Sequence, residues 1–126
     1  MAGVRNGPLA RAVLASAGWW TLGTVPPEWT WLLKTVHVLN PGPVNVTVQV
    51  HLQAVGDAVT ARLPTLSVSA GEAGTWEGWT TLGPGDSVRV YTDQGGCHVW
   101  CSGAELPGAI EPRDLPSPLP SAALPR

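Results

Sequence analysis

Residues 44–54 read VNVTVQVHLQA, and this stretch decides the fold. Val44, Val46, Val48, Val50, Leu52 and Ala54 alternate with Asn45, Thr47, Gln49, His51 and Gln53. Such strict period-two alternation puts the apolar side chains on one face of an extended strand and the polar ones on the other. A helix would scatter the same valines around its circumference. At about 1.5–3 kcal/mol for each buried Val or Leu, the ladder contributes roughly 8–15 kcal/mol before chain entropy is subtracted.

Working towards the amino end, Asn40-Pro41-Gly42-Pro43 forces a turn, because two prolines remove backbone donors and glycine allows positive φ. Before it, Trp29 to Leu39 is apolar on both faces, as a central strand between layers should be. Trp19 to Val25 is an earlier strand, halted by Pro26-Pro27. Towards the carboxyl end, Gly56-Asp57 marks a turn, and Ala58–Leu63 and Thr65–Ser69 are short strands split by Pro64. Thr75 to Leu82 contains Gly78, the mark of a bulge or an edge. After the tight turn Gly83-Pro84-Gly85-Asp86 come Ser87–Thr92 and Cys97–Ala104, linked as a hairpin by Asp93-Gln94-Gly95-Gly96.

About eight strands at this spacing predict an all-β, antiparallel, jelly-roll-like sandwich over residues 18–106. Residues 1–17 read as an N-terminal arm, with a helical turn or two between Leu9 and Ala17. Residues 107–126 form a Pro-rich extension, extended and semi-rigid. Gly18–Gly23 (GWWTLG) echoes Gly78–Gly83 (GWTTLG), too short a match to mean duplication.

Composition agrees with this reading. The 126 residues include seven Trp but no Phe, one Tyr and one Met, with 15 Gly and 13 Pro to punctuate turns. Charged residues make up only 13%, with a net charge of −2, so phosphate-driven nucleic-acid binding has no electrostatic basis. No apolar run approaches a membrane span. Arg11 interrupts the apolar stretch that would otherwise imitate a secretory signal. Low charge leaves a free subunit poorly protected against association, which suits a chain packed in an assembly.

Catalytic and metal-binding patterns are lacking, so neither catalytic residues nor cofactors are expected. Cys97 and Cys101 share a strand face with Cα atoms about 13 Å apart, too far to bridge each other, and read as buried thiols. The nearby His98 points to the opposite face, away from a metal. His37, His51 and His98 read as surface or interface residues, although His37 and His98 would approach if their strands pair. Glu72 and Glu77 beside Trp76 imitate a glycosidase pair but lie near a turn. Asn45-Val46-Thr47 is a chance glycosylation sequon. The main clue is aromatic. Trp29, Trp31, Trp76, Trp79 and Trp100 cannot all fit the core of so small a sandwich. Trp76, Trp79, Trp100 and His98 are therefore the candidate contacts, to another protein or to a sugar ring.

The stretch from Trp29 to Leu106 resembles a module of small virion proteins of tailed bacteriophages, the minor tail and capsid decoration proteins. The pieces that carry the resemblance are Val38-Leu39-Asn40, Val44 to Val48, Leu66 to Glu72, Leu82 to Val90 with its Pro-Gly-Asp turn, and Cys101 to Leu106 with Ser-Gly-x-Glu. The resemblance implies a non-enzymatic homo-oligomer, made in the host bacterial cytoplasm and docked on capsid or tail subunits in the virion. In that setting Pro107, Pro112, Leu115, Pro116, Leu119 and Pro120 form a candidate docking tail. The alternative is a glycan-binding adhesive module using surface Trp; nucleic acid and membrane are not expected partners.

Overall fold

A computed structural model describes residues 5–56 and 59–108. Among them are nine strands: β1 (Arg5–Leu14), β2 (Gly18–Thr24), β3 (Trp29–Leu39), β4 (Val46–Gln53), β5 (Val59–Arg62), β6 (Leu66–Val68), β7 (Ala73–Leu82), β8 (Ser87–Thr92) and β9 (Cys97–Pro107). They form two antiparallel sheets packed as a sandwich. Sheet A runs β1-β9-β3-β7, and sheet B runs β2-β8-β4-β5 with β6 also paired to β4. The all-β, jelly-roll-like sandwich expected from the valine ladder is the observed architecture.

The ladder itself is shorter at both ends than its alternation. Val46, Val48, Val50 and Leu52 are fully buried, but Val44 is 51% exposed. Buried Asn40 explains the early stop: its Nδ2 donates to the carbonyls of Val44 (2.6 Å) and Val68 (3.2 Å), holding residue 44 in the loop. The Gly42 amide closes the same turn on Asn40 Oδ1 at 3.1 Å.

The arm reading for residues 1–17 requires correction over Arg5–Leu14, which is a full strand on the edge of sheet A. The helical turn does not form. Ala10, Ala12 and Leu14 alternate with Arg11 and Val13, and the small inward side chains join the core while Leu14 is fully buried. Pro8 is tolerated because an edge strand has one unpaired side, and the register shifts between Pro8 and Ala10.

The hairpin expected between β8 and β9 is also corrected. These strands lie in different sheets, so residues 93–96 turn a corner of the sandwich instead. Gly95 packs so tightly that a Cβ would stand 2.5 Å from the Ala15 carbonyl oxygen, and the Gly96 amide donates to Leu14 O at 2.6 Å. The β1–β2 and β8–β9 corners are thereby tied together.

Gly78 does mark both an edge and a bulge, since β7 closes sheet A and its register shifts opposite Leu33 and Thr35. The β3 strand is central, as expected, with Trp31, Leu33, Val36 and Val38 in the core. The echo segments map to edge strands of opposite sheets, Gly18–Gly23 within β2 and Gly78–Leu82 at the end of β7 with Gly83 opening the next turn, and Leu22 and Leu82 are both buried.

Candidate functional site

Two aromatic faces point away from the core, one on each sheet. On sheet A, antiparallel pairing sets Arg11 opposite Trp100 and Trp100 opposite His37. The His37 and Trp100 rings stack with centroids 5.1 Å apart and planes 22° apart. His37 Nδ1 lies 3.2 Å from Thr75 Oγ1. The next row sets Val13 opposite His98 and His98 opposite Leu39. His37 and His98 are therefore diagonal neighbours on one face. An open groove of about 650 Å³ runs over these rows, lined by Pro8, Arg11, Val13, Leu39, His98 and Trp100 among others. Val13 at its edge is 53% exposed.

The sequence candidates separate clearly. Trp100 and His98 belong to this face. Trp79 is 73% exposed on β7, where the register shifts. Trp76 is half-buried: it pairs with Val36 and packs against the core, its ring folding over Gly78, where a Cβ would stand 2.8 Å from Trp76 Cζ2. Of the tail, Pro107 ends β9, whereas Pro112, Leu115, Pro116, Leu119 and Pro120 lie outside the described residues.

Trp31 and Trp29 occupy a third, internal setting. Trp31 Nε1 donates to buried Glu105 Oε2 at 2.9 Å, and Arg5 forms an ion pair with Oε1 of the same carboxylate. The Arg5 guanidinium also stands 5.0 Å above the Trp29 ring. Each carboxylate oxygen of Glu105 thus faces a donor, and the carboxylate ties β1, β9 and β3 together. Cys97 and Cys101 are free and buried on one face of β9, and burial pushes the Cys101 thiol up to about 11. A thiol so shifted stays protonated and unreactive at neutral pH.

Of the face on sheet B, His51 and the polar side of β4 were named from the sequence, but Trp19, Tyr91 and the arginines were not. Trp19 on β2 pairs with Tyr91 on β8, and Arg89 of β8 pairs with His51 of β4, which pairs with Arg62 of β5. The Trp19 indole lies across β8: its centroid is 5.4 Å from that of Tyr91 and 4.6 Å from that of His51, two strands away. It remains 44% exposed. Gln49 and Gln53 flank His51 on the same face of β4. Burial and, secondarily, the charge of Arg62 lower the His51 pKa. Trp19 and Tyr91 are 72 residues apart in the chain, so only strand order brings them together. The available signal was the alternation Arg89-Val90-Tyr91 within Ser87–Thr92, which puts Arg89 and Tyr91 on one face. Among the described residues no cluster of three or more His, Cys, Asp or Glu could hold a metal ion.

No protein-family model matches the chain, and no curated protein sequence does. Its fold is similar to that of a protein in the structure of Bacillus endospore appendages, which form disulfide-linked pili, with a TM-score of 0.51, 12% identity and coverage of 85% of this chain and 90% of that one. A chain of infectious bursal disease virus, Gx strain, superposes with a TM-score of 0.49 and 11% identity; the match covers 89% of this chain and 34% of the viral one. A carbohydrate-binding module from Cellvibrio mixtus lichenase 5A, in complex with cellotriose, matches at 0.39 and 13% identity over 87% and 89% of the two chains. These likenesses are of the β-sandwich fold.

Proposed function

We propose that this chain is a non-enzymatic structural component of a tailed-bacteriophage virion, a decoration or minor tail protein that docks on capsid or tail subunits and self-associates. One observation carries the reading: the outer face of sheet A offers an open groove with Val13, Leu39 and Trp100 in it. Apolar and aromatic groups there would be covered by a neighbouring protein surface, as the centre of a protein interface requires. Low overall charge and the ordered run of motifs from Trp29 to Leu106 support the same reading.

The test is cosedimentation of purified protein with virions that lack it. Wild type is expected to fill the particle, and Trp100→Ala and Val13→Asp to lose occupancy by at least about tenfold. Full occupancy by both folded variants would overturn docking through sheet A. Removal of residues 109–126 tests the tail separately: unchanged occupancy excludes it as a docking segment.

Glycan binding has its own support, and it comes from Trp19, Tyr91 and His51 rather than from Trp76, Trp79 and Trp100. Aromatic side chains beside Gln49, Gln53 and two arginines combine a stacking surface with hydrogen-bond donors and acceptors.

A further inference from the structure

The charge pattern of sheet B narrows the class of glycan. None of its five strands contains an Asp or a Glu, although the whole chain is net negative. The carboxylates at the ends of β8 are turned to the backbone: Asp93 Oδ1 accepts from the Thr47 amide at 2.8 Å, and Asp86 Oδ2 accepts from the Gly83 amide at 2.9 Å. Arg89, His51 and Arg62 instead form one row across three strands. The one ion pair among the described residues is Arg5–Glu105, so neither arginine of this row is neutralised by a described carboxylate. Arg89 Nε is moreover buried with no hydrogen-bond partner, an unspent donor beneath the face.

We propose that the outer face of sheet B binds an acidic polysaccharide, one that carries carboxylates at intervals along its chain. The proposal rests on the glycan-binding reading of this face and is independent of docking through sheet A. Trp19 supplies the platform: the electron-rich face of an indole receives the C–H face of a sugar ring. Arg89 and Arg62 stand two strand spacings apart, about 10 Å, with His51 between them. That spacing suits carboxylates carried on alternate sugars, each received by a guanidinium fork. Gln49 and Gln53 lie within the same patch to bond hydroxyl groups. A nucleic acid fits less well, because its affinity comes from many phosphate contacts and two fixed cations supply few.

Titration calorimetry of the full chain against polygalacturonate oligosaccharides, neutral cello-oligosaccharides and single-stranded DNA tests this. The acidic oligosaccharide is expected to bind, with affinity falling as salt rises. Trp19→Ala should weaken it about tenfold or more, Arg62→Gln and Arg89→Gln each several-fold, and Trp100→Ala not at all. Arg62 is exposed, so Arg62→Gln keeps the test valid even if Trp19→Ala fails to fold. Equal binding of the neutral and acidic sugars would overturn the acidic class while leaving the glycan reading standing. Binding of neither sugar, or tighter binding of DNA, would overturn both. Binding that survives Trp19→Ala and Arg62→Gln would place the site elsewhere.

Discussion

Sheets A and B each display a tryptophan beside a histidine, yet the two faces differ in what surrounds the pair. On sheet A the rings stack nearly parallel, and Val13 and Leu39 continue the surface without nearby carboxylates on β1 or β3. On sheet B the Trp19 ring tilts 51° from His51, and the companions are Arg89, Arg62, Gln49 and Gln53. On the proposed readings, the same aromatic device would serve a largely apolar contact on one side and a charge-selective one on the other. The interiors differ too. The central β4–β8 pair of sheet B runs in unbroken register, whereas β3 in sheet A carries a register shift against both neighbours and buries Glu105 nearby.

The largest effect should come from breaking that irregularity. Gly103 faces Leu33 at the shift, and a Cβ there would stand 1.9 Å from the Leu32 carbonyl oxygen. Gly103→Ala is expected to destabilise by about 3 kcal/mol or more, because backbone must move to admit the methyl group. Denaturant unfolding measures this. A loss below about 1 kcal/mol would mean that sheet A is as tolerant as sheet B and that the contrast is overdrawn.

Glu105 comes next. Glu105→Ala leaves the buried Trp31 Nε1 without its acceptor, at a cost of about 2–3 kcal/mol. Glu105→Gln keeps an acceptor and loses only the ion pair with exposed Arg5, so about 1 kcal/mol or less is expected. Equal losses in the two variants would shift the role of Glu105 from hydrogen bonding to charge.

These two positions also show how far the sequence could be read. The Ser-Gly-x-Glu run at residues 102–105 entered only through a resemblance, and its physical meaning lies in a backbone approach and a buried carboxylate that no periodicity reveals. Sheet B's β4 was legible because burial on one face writes itself directly into alternation. Strand β1 was not, because its inward side chains include two alanines, too small to raise a hydrophobic signal. The sheet A face was half legible: Trp100 and His98 were named, but Val13 and Leu39 were not. The sheet B face depends on β2–β8 and β8–β4 pairing, and strand order is set by packing of the whole sandwich rather than by any local run.

The matched pair Trp19→Ala and Trp100→Ala probes the surfaces with little effect on the core. Each should change stability by about 1 kcal/mol or less, since both rings keep part of their area in water. Loss of particle docking in one and of acidic-glycan binding in the other would sharpen the comparison. Loss of both activities in a single variant, with melting unchanged, would merge the two faces into one functional surface.

The smallest effect is a pH dependence, and its sign separates the free face from the occupied one. His51 faces Arg89 on β8, Arg62 on β5 and the Trp19 ring, and burial with the Arg62 charge lowers its pKa in the folded chain. In the unfolded chain a histidine titrates near about 6.5. Below that value the unfolded state binds the proton more readily, so the contribution of His51 to stability is full above it and declines as pH falls towards the lowered folded value. A bound carboxylate would act in the opposite direction by favouring the imidazolium, so acidic-glycan affinity should rise as pH falls through the same window. Comparing wild type with His51→Gln cancels the contributions of His37 and His98, which lie on the other sheet. Free protein that loses stability on mild acidification while its glycan complex tightens places His51 between two arginines in the one case and beneath a carboxylate in the other. Parallel trends in both would remove the anion from that position.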